Sequence, residues 1–271
     1  MAKIRLDMLL YDQGLISSRE KARAIIIAGE VRVNGTQIDK PGTRVDENSE
    51  LLIESRRTKY VSRGGLKLEA AIKDFQIDFR GKVVLDVGAS TGGYTDCALQ
   101  NGASRVLALD VGYGQLDWSL RNDPRVTVVE RTNIRYYNPE KMGDLVDVVT
   151  MDVSFISTTL IYPVLKRLLK EDGEIISLIK PQFEAGKDKV GKKGVVRDPV
   201  VHSEVLKRCI NAAEQAGFFC AGISYSPIKG PQGNIEYFLY LRKEPQAGEN
   251  GFENVEKVVR EAHSVLEGKK K

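Results

Sequence analysis

The 271-residue chain is poor in the residues that build metal sites and disulfide frameworks: it has three cysteines (Cys97, Cys209, Cys220) and two histidines (His202, His263). These are scattered, with no zinc-type ligand spacing, so no metal is expected and the thiols are read as buried. Long apolar runs are also missing. No stretch approaches the roughly 20 residues of a membrane span, and the opening MAKIRLDMLL carries Asp7 inside its only apolar patch, unlike a secretory signal. A cytoplasmic protein without a membrane part, monomeric, is expected. A strong charge of one sign is lacking as well. A net charge of +4 is common among enzymes and does not by itself point to nucleic acid, so the distribution of charge matters more than the total. What is present is 42% hydrophobic residues, enough to bury a core in one large domain with an appendage or in two modest domains.

The first part reads as a small α+β domain. Ile4, Leu6, Leu9, Leu10 and Gln13 recur at near-helical spacing and stop at Gly14, predicting a helix over residues 4–13. Ser17 stands three residues before Glu20, a capping box, and opens a second helix that ends at Gly29. Asn34-Gly35, between VRV and TQI, predicts a tight hairpin, and SELLIES adds one more strand after the break at Pro41-Gly42. The expected division is a domain over 1–57, a link over 58–62, a larger domain over 63–245, and a C-terminal helix with a basic tail over 246–271.

From Lys82 onward strands and helices alternate, which predicts an α/β fold with a parallel sheet covered on both faces. Seven strands are read at 82–87, 105–110, 125–130, 146–151, 174–180, 218–226 and 235–242, with helices around 95–100, 157–170 and 199–216 and another in SRGGLKLEAAIKDF. The last two strands are joined only by PIKGPQGN, too short for a helical crossover, so they are expected to pair antiparallel. A Rossmann-like seven-stranded sheet ending in this way is the architecture of methyltransferases that use S-adenosylmethionine.

The loop after the first of these strands, DVGASTGGYTD, has the spacing D-x-G-x-x-x-G-G. That is neither the G-x-G-x-x-G of a dinucleotide site nor a phosphate loop, which needs Lys-Ser/Thr after the glycines. S-adenosylmethionine has no pyrophosphate; its site needs a loop passing close beneath the methionine part and an acid for the amino end. Asp86, Gly88, Ser90, Thr91, Gly92 and Gly93 are placed for that. Asp110, 24 residues past Asp86 at the end of the second strand, can accept both ribose hydroxyls, and Val111, Thr132, Asn133 and Asp152 complete the expected cofactor contacts.

Asp152, Lys180 and Glu236 also bring charge to the carboxyl edge of the sheet, and Lys67 lies on the helix entering the domain. Each alone reads as a surface charge; as a set they are more specific. The set resembles the Lys-Asp-Lys-Glu tetrad of FtsJ-type ribose 2′-O-methyltransferases. The blocks KYVSRGGLKLEAA, DVGASTGGYTDCAL, ERTNIR, DVSFIS, IKPQFEAGKDKVGKKGVVRDP and GPQGNIEYF are similar to the TlyA family. The resemblance runs from Ile4 to about Arg242 and implies an S-four-type RNA-binding domain ahead of a methyltransferase that modifies cytidine ribose in ribosomal RNA.

A ribose hydroxyl is a poor nucleophile at neutral pH, so the protein must remove a proton and hold an in-line geometry. Lys180 is the candidate base, with Lys67 as the neighbouring cation and Asp152 and Glu236 orienting the amines; residue type alone does not say which lysine acts. The partner implied is ribosomal RNA or a ribosomal subunit. Its phosphates would be met by Arg5, Arg19, Lys21, Arg23 and Arg32 in the first domain, and by Arg63, Lys187, Lys189, Lys192 and Lys193 near the site. Residues 1–57 hold ten basic against nine acidic residues, so bulk charge does not favour RNA. Two other readings are a haemolysin-like factor, for which the chain lacks a span, and an RNA-binding protein with an inactive methyltransferase fold, which would be expected to lose Asp86, Lys180 or Glu236. Within enzymes, base methylation is the runner-up.

Overall fold

The computed structural model describes residues 3–16, 18–27, 29–53, 59–141, 143–245 and 251–268. It divides into two compact units, Met1–Thr58 and Lys59–Lys271.

In the first unit, β1 (Lys3–Arg5) is followed by α1 (Leu6–Asp12), α2 (Arg19–Ile27), β2 (Val31–Val33), β3 (Thr36–Ile38), β4 (Arg44–Asp46) and β5 (Leu51–Ile53). The expected first helix is therefore shortened, because residues 3–5 pair antiparallel with β4, Ile4 opposite Val45. Periodicity cannot separate three strand residues from a first helical turn, and the partner lies forty residues away in sequence. Ser17 lies outside the described residues; Ser18 Oγ accepts the Lys21 N–H at 3.2 Å and satisfies one of the free donors at the start of α2. Asn34 (φ 49°) and Gly35 (φ 79°) are both left-handed, as the two-residue turn joining β2 to β3 requires, and β5 pairs with the other edge of β2. Leu6, Leu10, Ala22, Ile26 and Val31 form a fully buried core.

The second unit begins with α3 (Gly64–Phe75). β6 (Val83–Val87), α4 (Gly93–Gln100), β7 (Arg105–Leu109), α5 (Trp118–Arg121), β8 (Val126–Val129) and β9 (Val146–Met151) follow. After them come α6 (Tyr162–Leu165), β10 (Leu169–Ile179), α7 (Pro181–Glu184), α8 (Pro199–Gln215), β11 (Phe219–Tyr225), β12 (Tyr237–Arg242) and α9 (Val255–Glu267). Seven strands make one sheet in the order β11-β12-β10-β9-β6-β7-β8. The pairs among β10, β9, β6, β7 and β8 are parallel, while β12 runs antiparallel to both β10 and β11. Apolar clusters cover both faces of the sheet, which is why the central strands read as continuous Val/Leu/Ile runs.

The helix expected over 157–170 does not form. A 3₁₀ turn (Thr158–Leu160) and four-residue α6, with Pro163 in its first turn, are followed directly by β10, whose Leu169 pairs with Val146. Sheet pairing takes Leu169 before a helix could reach it. At the C-terminus α9 packs on α8 and β11 and buries Val255, Val258, Val259 and Ala262; residues 269–271 of the basic tail lie outside the described residues.

Candidate active site

The carboxyl edge of the parallel strands collects the polar side chains that end them, as the topology of an open α/β sheet dictates. The loop after β6 turns back at Gly88 (φ +85°), where a Cβ would lie 2.5 Å from the backbone oxygen of Asp152. Strands β6 and β9 thus deliver their loops in direct contact. Around this contact lie two hollows that share Gly88, Ser90, Asp152 and Ser154. One, of about 540 Å³, is lined by Asp110, Val111, Gln115, Thr132, Asn133 and Phe155 among others. The other, of about 410 Å³, is lined by Arg63, Lys67, Thr91, Gly93, Tyr94 and Lys180 among others.

Asp110 sits where β7 ends. Its Oδ2 accepts the Ser90 N–H at 2.8 Å and its Oδ1 the Gly112 N–H at 2.7 Å, so the carboxylate is oriented by backbone and each oxygen keeps a lone pair for a ligand. Thr132 and Asn133 line the same hollow, although Asn133 Oδ1 already accepts the Arg135 N–H. Gly92 (φ +96°) starts α4, and Gly93 lets α4 approach α3, since a Cβ there would meet Ser62 Oγ and the Gly65 nitrogen.

Asp86, expected to meet the cofactor's amino end, lines neither hollow. It is fully buried under the loop and accepts hydrogen bonds from Thr95 Oγ1 at 2.7 Å and Thr150 Oγ1 at 3.1 Å. Burial pushes its carboxyl up to about 7, against the pull of the two threonines. Because the folded chain then holds the proton more tightly than the unfolded chain, the group costs stability as pH rises from about 4 toward 7 and above. Asp86→Asn, whose amide can still pair with the rotatable hydroxyls, is expected to stabilise the protein by about 1–2 kcal/mol at pH 8. The gain should fade toward pH 4 in thermal melts; a lower melting temperature than wild type at pH 8 would show that the charge is needed.

Four residues from distant parts of the chain come together beside Gly88. Lys67 Nζ on α3 donates to Glu236 Oε2 at 2.6 Å and lies 3.7 Å from Asp152 Oδ2. Lys180 Nζ, at the end of β10, lies 2.6 Å from Asp152 Oδ1, without hydrogen-bond alignment, and donates to Ser154 Oγ at 2.8 Å. The result is an alternating row, Glu236, Lys67, Asp152, Lys180. Glu236 is 1% exposed and is the inner anchor; Lys67, Asp152 and Lys180 line the smaller hollow.

The basic residues fall into separate groups. In the first unit Arg5, Arg19 and Arg23 converge on Asp7, Lys21 is exposed on α2, and Arg32 donates to the Gly35 carbonyl at 3.1 Å. In the second unit Arg63 lines the smaller hollow, donating to the Lys229 carbonyl. Lys189, Lys192, Lys193 and Arg197 line one surface depression, and Lys187 lines another with Phe155 and Phe183. Asn234 holds the base of this basic loop through the Val196 N–H and the Gly194 carbonyl. Sequence reasoning missed Ser154, Gln115 and, above all, Phe155. Phe155 is 90% exposed with φ +63° at the rim of the larger hollow, its ring 4.9 Å from that of Phe183. The signal that could have found it is an aromatic in the loop that leaves the sheet edge after Met151, where there is no core to enter.

The family model described as FtsJ-like methyltransferase matches residues 60–243. The chain belongs to the FtsJ-like methyltransferase family. A second family model, the S4 domain, matches residues 4–51. The chain is 50% identical over 273 residues to YqxC of Bacillus subtilis (strain 168), covering 99% of this chain and 97% of that one. It is 46% identical over 242 residues to the 16S/23S rRNA (cytidine-2'-O)-methyltransferase TlyA of Mycobacterium tuberculosis (strain ATCC 25618 / H37Rv), covering 89% and 90%. A solved Streptococcus thermophilus structure named for a hemolysin superposes with a TM-score of 0.78 at 42% identity, covering 99% of this chain and 98% of that one.

As an FtsJ-like methyltransferase the protein is an enzyme that uses S-adenosylmethionine, and the site has features that fit this cofactor. The two hollows have the size of small-molecule sites, Asp110 offers oriented acceptors for a pair of hydroxyls, and Gly88 leaves the floor free of a side chain. The Tyr94 hydroxyl, on the wall of the smaller hollow, is buried with no hydrogen-bond partner among the described residues and so has a donor to give. Among the described residues no helix is long and apolar enough to cross a membrane.

Proposed function

We propose that this FtsJ-like methyltransferase methylates the 2′-hydroxyl of a cytidine in ribosomal RNA and that Lys180 is the base that takes the hydroxyl proton. The observation that carries the reading is the alternating row of Glu236, Lys67, Asp152 and Lys180 at the hollow the cofactor would share. The similarity to the mycobacterial TlyA, named for cytidine 2′-O-methylation, supports the substrate.

Bound there, S-adenosylmethionine supplies an activated sulfonium methyl group. Asp110, Thr132 and Asn133 would hold its nucleoside, and Gly88, Ser90, Thr91 and Asp152 the methionine part. Lys67 stands between two carboxylates, donating to Glu236 and lying near Asp152, which suits it to anchor the row. Lys180 shares one carboxylate, touches a hydroxyl and faces the hollow. In its neutral form Nζ can accept the proton of a ribose hydroxyl placed at the row, and Asp152 then pairs with the ammonium that results. As Lys180 takes the hydroxyl proton, the ribose oxygen would take the methyl group released from the sulfonium, whose S–C bond breaks with the electron pair left on sulfur as a neutral thioether.

Arg63, Lys187, Lys189, Lys192 and Lys193 lie on the same unit as the row and would neutralise phosphates flanking a nucleotide turned out toward it. Phe155, exposed at the rim, offers a face on which a base can stack. Nucleoside mass spectrometry of ribosomal RNA from cells with and without the gene tests the reading: a 2′-O-methylcytidine should vanish with the gene. A lost base-methylated nucleoside with unchanged ribose methylation would establish the other chemistry.

A further inference from the structure

We infer that Asp7 is a positioning residue that gathers Arg5, Arg19 and Arg23 into one clamp for the phosphates of RNA. The inference rests on the proposed reading that the first unit binds ribosomal RNA.

Asp7 lies in the first turn of α1 and its side chain is 0% exposed. Arg5 Nε and Nη2 donate to its two oxygens, each at 2.9 Å, a bidentate fork. Arg19 Nη2 and Arg23 Nε on α2 approach the same carboxylate to 3.5 and 3.9 Å. The arginine side chains stay open to water, 42%, 47% and 60% exposed. The arrangement is thus inverted from an ordinary surface ion pair: one acid is inside and three bases are outside. Arg5 and Arg19 hold Asp7 below the usual carboxylate range against the cost of burial, the Arg5 hydrogen bond being the largest cause.

A buried carboxylate is an expensive way to stabilise so small a unit, since a well-packed apolar side chain of similar volume commonly does as well or better. What the carboxylate does provide is a common anchor for three like charges that would otherwise repel and spread. Each guanidinium has five N–H donors, and Asp7 can engage only a few of them, so most are left for a ligand. Planar forks gathered at one carboxylate fit phosphate oxygens and carry no base-reading information, which matches backbone contact with RNA.

The test exploits a sign. Asp7→Asn raises the charge of the unit by one, so if the arginines act only through bulk charge, RNA binding tightens and its salt dependence steepens. If Asp7 positions them, binding weakens. The full-length chain, as wild type, Asp7→Asn, Arg5→Lys and the double reversal Arg19→Glu/Arg23→Glu, is titrated with 16S and 23S ribosomal RNA transcripts across a KCl series, with melts to verify folding. Asp7→Asn is expected to bind roughly tenfold more weakly, the worth of one charge-assisted hydrogen bond. The slope of log affinity against log salt should shrink by about 0.9, one phosphate contact. Equal or tighter binding by folded Asp7→Asn overturns the inference. If Asp7→Asn does not fold, Arg5→Lys decides: it keeps the charge but loses the fork, and unchanged affinity overturns the inference. Should the double reversal leave RNA affinity intact, the RNA-binding reading of this unit itself fails. Weakening by reversal alone, with Asp7→Asn and Arg5→Lys at wild-type affinity, removes only the positioning role.

Discussion

Replacing Lys180 by alanine should lower the rate of methyl transfer by about 10²–10⁴-fold, the contribution expected of a positioned base, while cofactor affinity changes less than about twofold. The split follows from where the side chain ends. Lys180 Nζ reaches Asp152 and Ser154 at the row, whereas the acceptors for the cofactor's nucleoside belong to Asp110 and the loop after β8. Lys180→Arg should be as inactive, because a guanidinium keeps its proton throughout the accessible pH range. Lys67→Ala is expected to fail in a different way. It leaves Glu236, 1% exposed, without its hydrogen-bonded cation, a loss of about 3–5 kcal/mol in stability for a broken buried pair. Melting temperature alongside single-turnover rate therefore separates the two lysines. Lys180→Ala that turns over within about threefold of wild type would remove the proposed base, given that loss of a true base costs far more.

The parts of this molecule legible in its sequence are those dictated by local chemistry. Central strands buried on both faces must be apolar throughout, so VVLDV, RVLAL and VDVVTM announce themselves, and the short PIKGPQGN link leaves β11 and β12 no option but to pair antiparallel. The hairpin at Asn34-Gly35 is equally local, since both residues must be left-handed. Non-local contacts were hidden. Residues 3–5 are a strand because β4 lies beside them, and 157–170 is not a helix because Leu169 is taken by Val146. In the site, the order of the sheet accounts for Asp110, Asp152 and Lys180 standing at one edge, since each is the residue that follows the last one of its strand. Asp86 shows where that logic stops: it is one residue short of the end of β6, points into the protein, and is spent on Thr95 and Thr150. Asp7 reads in the sequence only as a charge that breaks an apolar patch; that Arg19 and Arg23 join Arg5 on it depends on the packing of α2 against α1, which no spacing rule expresses.

Gly88→Ala should damage both turnover and cofactor binding, because two separate penalties fall on one atom. At φ +85° an L-residue is strained by about 1–2 kcal/mol wherever it stands. The added Cβ would also sit 2.5 Å from Asp152 O and 3.1 Å from Asp152 C, and these are backbone atoms that cannot rotate away. The loop cannot retreat freely, since the Gly88 and Ala89 N–H groups both bond to the Leu109 carbonyl, and Asp152 N–H is bonded to the Val87 carbonyl. Relief must therefore come from shifting Asp152, the carboxylate that joins Lys67 to Lys180. A displacement approaching 1 Å in a reacting constellation costs roughly 100-fold in rate, and the same shift narrows the floor shared by both hollows. The expected outcome is a loss of about 100-fold in kcat/KM with a cofactor Kd raised roughly tenfold. Gly81→Ala is the matched control: its φ is +72°, nothing lies within 4 Å of the added atom, and it pays strain alone. Its melting temperature should fall while cofactor Kd, measured by calorimetry, stays near wild type. If the two alanine variants lose cofactor affinity equally, the close approach of Gly88 to Asp152 is not what shapes the site.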